Sequence, residues 1–275
     1  MNDDLIEWYG SGEKSAIGAP MRVNQRKAMS RDAEKILAAQ RAVEFVRDGQ
    51  LVGLGTGSTA AHAIRILGKR VEAGLSIQGV PTSNATEQLA REVGIELVSL
   101  NQVDEIDITI DGADEVDPQF NMIKGGGGAL TREKLVAVAS KKRVIAVDQS
   151  KLVDRLGARF PIPVEVLPFG FRVVARALDS LGCHPKIREI NGTPFVTDNM
   201  NWIVDCASGP VDDPLLLEQE IKQISGVVEC GLFARLADVL VIACRDDVTV
   251  LERGASRNSV AVWNQLSGAR GGKSV

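Results

Sequence analysis

Between residues 31 and 46 the apolar positions Ile36, Leu37, Ala39, Val43 and Val46 recur at helical spacing, and Asp48-Gly49 supplies a stop. That pattern predicts a first core helix. Gln50 to Gly53 then reads as a short buried strand running into glycine-rich backbone, followed by a helix over Thr59 to Ala73. The alternation continues with strand Ser76–Pro81, helix Asn84–Val93, and strands Ile95–Val98 and Ile106–Ile110. A helix from about Ala129 to Ala139 and a strand over Arg143–Val147 complete it. Strands alternating with helices predict an α/β, Rossmann-like and largely parallel sheet flanked by helices, with ligands bound by loops at the strand C-termini.

Near Phe160-Pro161-Ile162-Pro163 and Pro168 the alternation loosens, and Gly157 and Gly170 reinforce a boundary there. Beyond it the pattern reads strand over 164–167, helix Arg172–Leu181, strands near Pro185–Glu189 and Asn201–Cys206, and helix Pro214–Ile224. This order predicts a second, smaller α+β unit of ferredoxin-like type. The apolar strand Asp238–Ala243 is expected to return to the first sheet. The expected organisation is therefore a variable N-terminal extension over 1–30, an α/β unit over 31–157 plus 232–275, and the small unit over 158–231. The tail from Ser267 is expected to fray.

Composition narrows the chemistry. The chain has 275 residues, 44% of them hydrophobic, enough for a substantial core. Its net charge of -4 comes from 36 acidic and 32 basic residues spread along the chain, with no basic block of the kind that binds nucleic acid. No apolar run approaches the roughly 20 residues needed to span a bilayer, so no membrane role is expected. The opening segment is acidic at its start and does not read as a secretory signal; Met21 or Met29 are alternative starts. Four scattered cysteines without a C-x-x-C pair fit reduced thiols. With His62 and His184 as the sole histidines, carboxylates and lysines must carry acid and base work.

Two glycine clusters stand at predicted strand-to-helix turns. Gly53-Leu54-Gly55-Thr56-Gly57-Ser58-Thr59 combines small residues with hydroxyls where helix N-terminal amides favour an anion. It lacks the Gly-Lys-Ser/Thr of a P-loop, and Ser58 stands where a dinucleotide fingerprint has its third glycine. A plain turn with Thr59 capping a helix is the alternative. Lys124-Gly125-Gly126-Gly127-Gly128 begins with a cation, and four glycines are costly in entropy for a simple connection. Thr82-Ser83-Asn84 lies on the same rim, with helix capping an equal reading, and stays outside the candidate site.

Asp111 ends the strand IDITI, and Asp114 follows across Gly112-Ala113, so both carboxylates can curl over one strand end. Such a pair can exchange protons with sugar hydroxyls, or instead cap a turn or bind an arginine. Glu133, in the first turn of the next helix, can face the same cavity or serve as the acidic half of a capping box. Lys124 and Lys151, each beside a turn, can neutralise phosphate or an oxyanion, or stand as ordinary surface charges.

The segments VGLGTGSTA, DGADEVD, MIKGGGGALTREK and VDQSKLVDRLG closely resemble the type A ribose-5-phosphate isomerases, in the same order. The resemblance runs from about Arg31 to about Val250. It implies interconversion of D-ribose 5-phosphate and D-ribulose 5-phosphate through an enediolate, in the non-oxidative pentose phosphate pathway, with no metal and no organic cofactor. The family's general base falls on Glu133. Its substrate contacts fall on Thr56, Gly57, Ser58 and Thr59, on Asp111, Gly112, Ala113 and Asp114, on Lys124, Gly125, Gly126 and Gly127, and on Lys151. Asp111, Asp114 and Lys124 are expected to share the catalysis, by opening the furanose and holding enediolate charge. The resemblance also implies a homodimer or homotetramer, with the small unit as an interface, in the cytoplasm.

Two other readings are open at this level. A coenzyme A transferase on a similar scaffold would use a glutamate as covalent nucleophile. A sugar-phosphate sensor would keep the phosphate loop but need not keep Glu133, Asp111, Asp114 and Lys124 together.

Overall fold

The computed structural model describes residues 30–254 and 259–268. The extension before Ser30 and the tail beyond Gly268 lie outside them. In α1 (Arg31–Val43), Ser30 accepts a hydrogen bond from Ala33 N and caps the first turn, while Ala38, Ala39, Ala42 and Val43 form the buried stripe. The helix stops three residues before the expected Val46, which is buried in the turn that follows.

The first layer continues through β1 (Gln50–Leu54), α2 (Ser58–Glu72), β2 (Ile77–Pro81), α3 (Asn84–Glu92), β3 (Glu96–Leu97) and β4 (Ile106–Asp111). Two short strands follow, β5 (Glu115–Val116) and β6 (Met122–Ile123), and then α4 (Leu130–Val138) and β7 (Ser140–Asp148). The small sheet comes from β8 (Ile162–Val166), α5 (Phe171–Ser180), β9 (Pro185–Ile187), the hairpin β10 (Glu189–Ile190) and β11 (Thr193–Pro194), β12 (Trp202–Cys206), α6 (Pro214–Lys222) and β13 (Val227–Cys230). The chain closes with β14 (Leu232–Phe233), β15 (Val239–Cys244), β16 (Asp247–Glu252) and α7 (Ser259–Ser267).

Seven strands form the main sheet in the order β16-β15-β7-β4-β1-β2-β3. Every neighbouring pair is parallel except β15–β16, so the return strand joins the first sheet as expected. β16, absent from the sequence reading, pairs along all of β15 and covers its edge. Strand order reverses beside β1: the chain runs outward one way through β2 and β3 and the other way through β4, β7 and β15. The crevice beyond the C-terminal ends of β1 and β4 is therefore the topological switch point, where open α/β sheets bind ligands.

The second sheet, ordered β13-β8-β12-β9, is wholly antiparallel. With its two helices it has the ferredoxin-like βαββαβ connectivity. A third, three-stranded sheet, β14-β6-β5, bridges the two. Val52, Leu54, Ile108 and Ile110 pack against Ala39, Ile64 and Leu67 on one face of the main sheet. On the other face Ile145, Val147, Leu240 and Ile242 join Met122, Leu130, Phe233, Trp263 and Ile203 in one core. That second core takes Ile203 from β12, so it fastens the small sheet to the large one. Among the described residues no helix is long and apolar enough to cross a membrane.

Candidate active site

The loop after β1 is shaped by what lies beside it. A Cβ on Gly55 would fall 2.2 Å from Asp111 Oδ1, so the aspartate's position requires glycine there. α2 then starts at Ser58 behind Gly57, which has φ 112° and gives no side-chain cap, leaving the first-turn amides available to an anion. Thr59 lies inside that first turn and is not the cap. A chain of hydroxyls props the loop from behind: Thr56 donates to Ser83 Oγ at 2.9 Å, Ser83 to Thr86 Oγ1 at 3.0 Å, and Thr86 to Gly55 O at 2.9 Å. Thr82, set aside with Ser83 in the sequence reading, lies 2.7 Å from the Thr56 hydroxyl. Ser83 also caps α3 through Thr86 N, so the capping reading of that turn holds, and neither Thr82 nor Ser83 lines the cleft described below.

Along β4 the side chains alternate, with Ile108 and Ile110 in the helix-covered core and Asp111 turned to the face where α4 lies. Asp111 Oδ1 accepts from Gly112 N at 2.7 Å and Thr56 N at 3.2 Å, and its Oδ2 lies 2.9 Å from Lys124 Nζ. Lys124 leaves β6 with its backbone N–H donating to Gly231 O at 2.9 Å. Its ammonium donates onward to Gly112 O at 2.7 Å and Glu133 Oε1 at 3.0 Å. Glu133 Oε2 is buried without a hydrogen-bond partner among the described residues. Asp114 sits at the rim and accepts from Gly126 N at 2.7 Å; a Cβ on Gly126 would come within 2.6 Å of that carboxylate.

Asp111, Lys124 and Glu133 are all buried, which sets their proton affinities. Burial raises the pKa of Glu133 to about 8, Lys124 pulls it down, and the neighbouring charges of Asp111 and Asp114 push it up again. Burial also raises Asp111, against the opposing pull of Lys124 and two amides. For Lys124 burial works against the charge, but Asp111 and Glu133 outweigh it and hold the ammonium protonated above the ordinary lysine value. One lysine cannot neutralise two carboxylates, so the cluster favours a shared proton, which titrates as a property of the group.

A cleft of about 100 Å³ opens here. Thr56, Gly57, Ser58, Thr59, Gly112, Ala113, Asp114, Lys124, Gly125, Gly126, Gly127, Glu133 and Lys151 all line it, and Asp111 stands directly behind Lys124. Lys35, which the sequence reading missed, lines it as well. It projects from α1, where an amphipathic pattern gives no hint that one lysine faces a ligand. The capping-box reading of Glu133 fails: Ala129 is the N-cap of α4, no side chain caps that end, and Glu133 N donates to Ala129 O. The neighbours of Glu133 on α4 point instead to the small sheet. Thr131 donates to Glu165, Arg132 to Asn199 Oδ1 at 2.9 Å, and Lys134 to Glu229 Oε1 at 2.9 Å.

The model of the family Ribose 5-phosphate isomerase A (phosphoriboisomerase A) matches residues 78–247. The Ribose-5-phosphate isomerase A of Sphingopyxis alaskensis is 50% identical over 222 residues, covering 81% of this chain and 97% of that protein. The protein of the same name from Streptococcus pneumoniae is 49% identical over 218 residues, covering 79% and 96%. Among solved structures, ribose 5-phosphate isomerase A from Methanocaldococcus jannaschii superposes with a TM-score of 0.78 at 44% identity, covering 81% of this chain and all of that one. A D-ribose-5-phosphate isomerase in complex with phospho-erythronic acid gives 0.80 at 42% identity, over 82% of this chain. With half of the aligned positions identical and the same arrangement of sheets, the chain belongs to the ribose 5-phosphate isomerase A family.

Proposed function

We propose that this chain interconverts D-ribose 5-phosphate and D-ribulose 5-phosphate, with Glu133 as the base. The observation that carries the assignment is the buried Glu133 Oε2, without a hydrogen-bond partner among the described residues, in a cleft lined also by glycines, hydroxyl side chains, Asp114 and three lysines. In the open-chain aldose, the Glu133 carboxylate removes the C2 proton and the electron pair forms the C1–C2 double bond, leaving negative charge on O1. Glu133 then returns the proton to C1 while the proton of the O2 hydroxyl passes to O1, leaving a carbonyl at C2 and a hydroxyl at C1, which is the ketose. A pKa near the working pH suits a group that must both take and give back one proton. Lys124 Nζ and the glycine amides stabilise the enediolate oxygens. Asp111 and Asp114 move protons at the ring oxygen and O1 during ring opening. The uncapped first turn of α2, with Lys35 and Lys151, holds the phosphate. Phospho-erythronic acid, bound by the related isomerase, carries a phosphate and a carboxylate like the anionic ends of such an intermediate.

The reading extends to a cytoplasmic homodimer or homotetramer, divided into a catalytic unit over 31–157 plus 232–275 and a small unit over 158–231. The partly or fully exposed Leu167, Phe169 and Val173 on the small unit support an interface there. The deciding experiment follows ribose 5-phosphate by NMR in deuterated water with a chelator present. Conversion to ribulose 5-phosphate with solvent exchange at C2 is expected. Tight binding with neither conversion nor exchange would make the chain a sugar-phosphate-binding module, and activity lost to the chelator and restored by a divalent ion would end the metal-free mechanism.

A further inference from the structure

A run of four glycines has no side chain to restrict its peptide planes. In Gly125-Gly126-Gly127-Gly128 one hydrogen bond is internal, from Gly128 N to Gly125 O at 2.9 Å, and further restraint comes from the small sheet. Arg188, just past β9, donates from Nη1 to Gly125 O at 2.9 Å and to Gly126 O at 3.1 Å. The rest of its guanidinium is engaged by Asp205 on β12, through Nε to Oδ2 at 2.9 Å and Nη2 to Oδ1. Phe195 lies under the guanidinium at 5.9 Å and also against Gly128, where a Cβ would meet its ring at 2.3 Å.

A trans peptide points its C=O and the following N–H in opposite directions. With Gly125 O turned to Arg188, Gly126 N–H is turned away, and it donates to Asp114 Oδ2 at 2.7 Å. With Gly126 O turned to the same nitrogen, Gly127 N–H is turned away from Arg188, and Gly127 itself lines the cleft. We infer that Arg188, fixed by Asp205 and Phe195, is a positioning residue of the small sheet that aims the Gly126 and Gly127 amides at Asp114 and at the substrate's anionic oxygens. This rests on the isomerase reading for its substrate, but the geometry of the clamp does not depend on turnover. The role belongs to the guanidinium fork: lysine keeps the charge and cannot reach two carbonyls and a carboxylate together.

The test uses Arg188→Lys, Arg188→Ala and Asp205→Asn in the full chain, reading kcat, KM, affinity for phospho-erythronic acid and thermal midpoint. Misaimed amides are expected to lower kcat/KM on the order of 100-fold in Arg188→Ala. Arg188→Lys is expected to resemble Arg188→Ala, Asp205→Asn to lose less, and phospho-erythronic acid to bind more weakly in all three. Added guanidinium, but not ammonium, should restore part of the Arg188→Ala loss, a readout that simple destabilisation would not move. Wild-type kcat/KM and analogue affinity in folded Arg188→Ala, or full activity in Arg188→Lys, would overturn the inference. A wild-type protein that binds the analogue without turning over ribose 5-phosphate would sink the isomerase reading alone, leaving the binding arm to decide the clamp.

Discussion

Two lysines of this protein are buried between pairs of carboxylates, close to the same aromatic ring, and they do different things. Lys124 stands 5.6 Å and Lys134 4.8 Å from the centre of Phe233. Lys124 joins Asp111, Glu133 and one carbonyl; Lys134 joins Glu218, Glu229 and the carbonyls of Cys230 and Leu232 at 2.7 Å each. Glu133 and Lys134 are consecutive on α4, so one turn of helix carries both clusters on divergent faces. The contrast lies in how fully each carboxylate is satisfied. Glu229 has Lys134, Lys222 and Cys230 N as partners, and although burial acts to raise its pKa these partners bring it below the ordinary glutamate value. Glu133 shares a single lysine with Asp111, keeps one oxygen unpartnered among the described residues, and its pKa rises to about 8. Burial beside a lysine marks both clusters; an unmet hydrogen-bonding oxygen on a cleft marks the one proposed to react.

The sharpest way to break this comparison is to neutralise each cluster in turn. Glu133→Gln removes the proposed base while keeping the shape, and should lower kcat by about 1,000-fold or more, toward the upper range for a general base. Its affinity for phospho-erythronic acid should stay within a few-fold of wild type, and near-normal turnover would remove Glu133 from the mechanism. Lys134→Met leaves Glu218 without its cation and Glu229 with Lys222 alone, which should cost roughly 3–5 kcal/mol of stability in urea titrations. The fraction that stays folded should keep a kcat close to wild type. Collapse of kcat at unchanged stability would mean that the second cluster acts in the chemistry.

A smaller effect separates the clusters by pH. Folded Glu133 keeps a proton that the unfolded chain releases near 4.5, so its linkage contribution to stability declines as pH rises from about 4.5 to about 8. The base form appears over the same interval, and kcat/KM should climb along a limb near pH 8. Glu229 runs the other way: its contribution is present above the unfolded glutamate pKa and is lost as pH falls through its lowered folded value. Urea midpoints measured against pH in wild type and Glu133→Gln test this, since only wild type should show the higher window. A kcat/KM limb at the ordinary glutamate pKa would contradict the raised value.

How much of this was legible in the chain depends on the range of the interaction. The βα alternation, the binding rim at the strand C-termini and the order Asp111, Lys124, Glu133 follow local pattern and motif, so they can be read directly; the switch point itself needs the strand order. β16 was not read from its half-buried side chains, whose partner β15 lies on the far side of a turn. The bounds of α1 shifted because burial of Val46 does not require it to be helical. Lys35, Arg188 and Lys134 were missed for a common reason: each faces groups distant in sequence, and a lone lysine or arginine carries no local mark of them. The supports of the site are tertiary where the groups proposed to react are largely sequential.

The placement of the small sheet has a kinetic side as well. β7 and β15 are hydrogen-bonded neighbours, yet the entire four-stranded sheet is threaded between them in the chain. Parallel pairing at such separation is slow, because the intervening loop must close before any contact rewards it. Here β8 and β13, the first and last strands of the insertion, pair with each other, with Cys230 opposite Val164. Once the insertion has assembled, its two ends emerge about one strand spacing apart, roughly 4.8 Å. The long connection then behaves as a short one. Pulse-labelled hydrogen exchange during refolding should protect β12 before β15, and the reverse order would show that the main sheet closes without this splint.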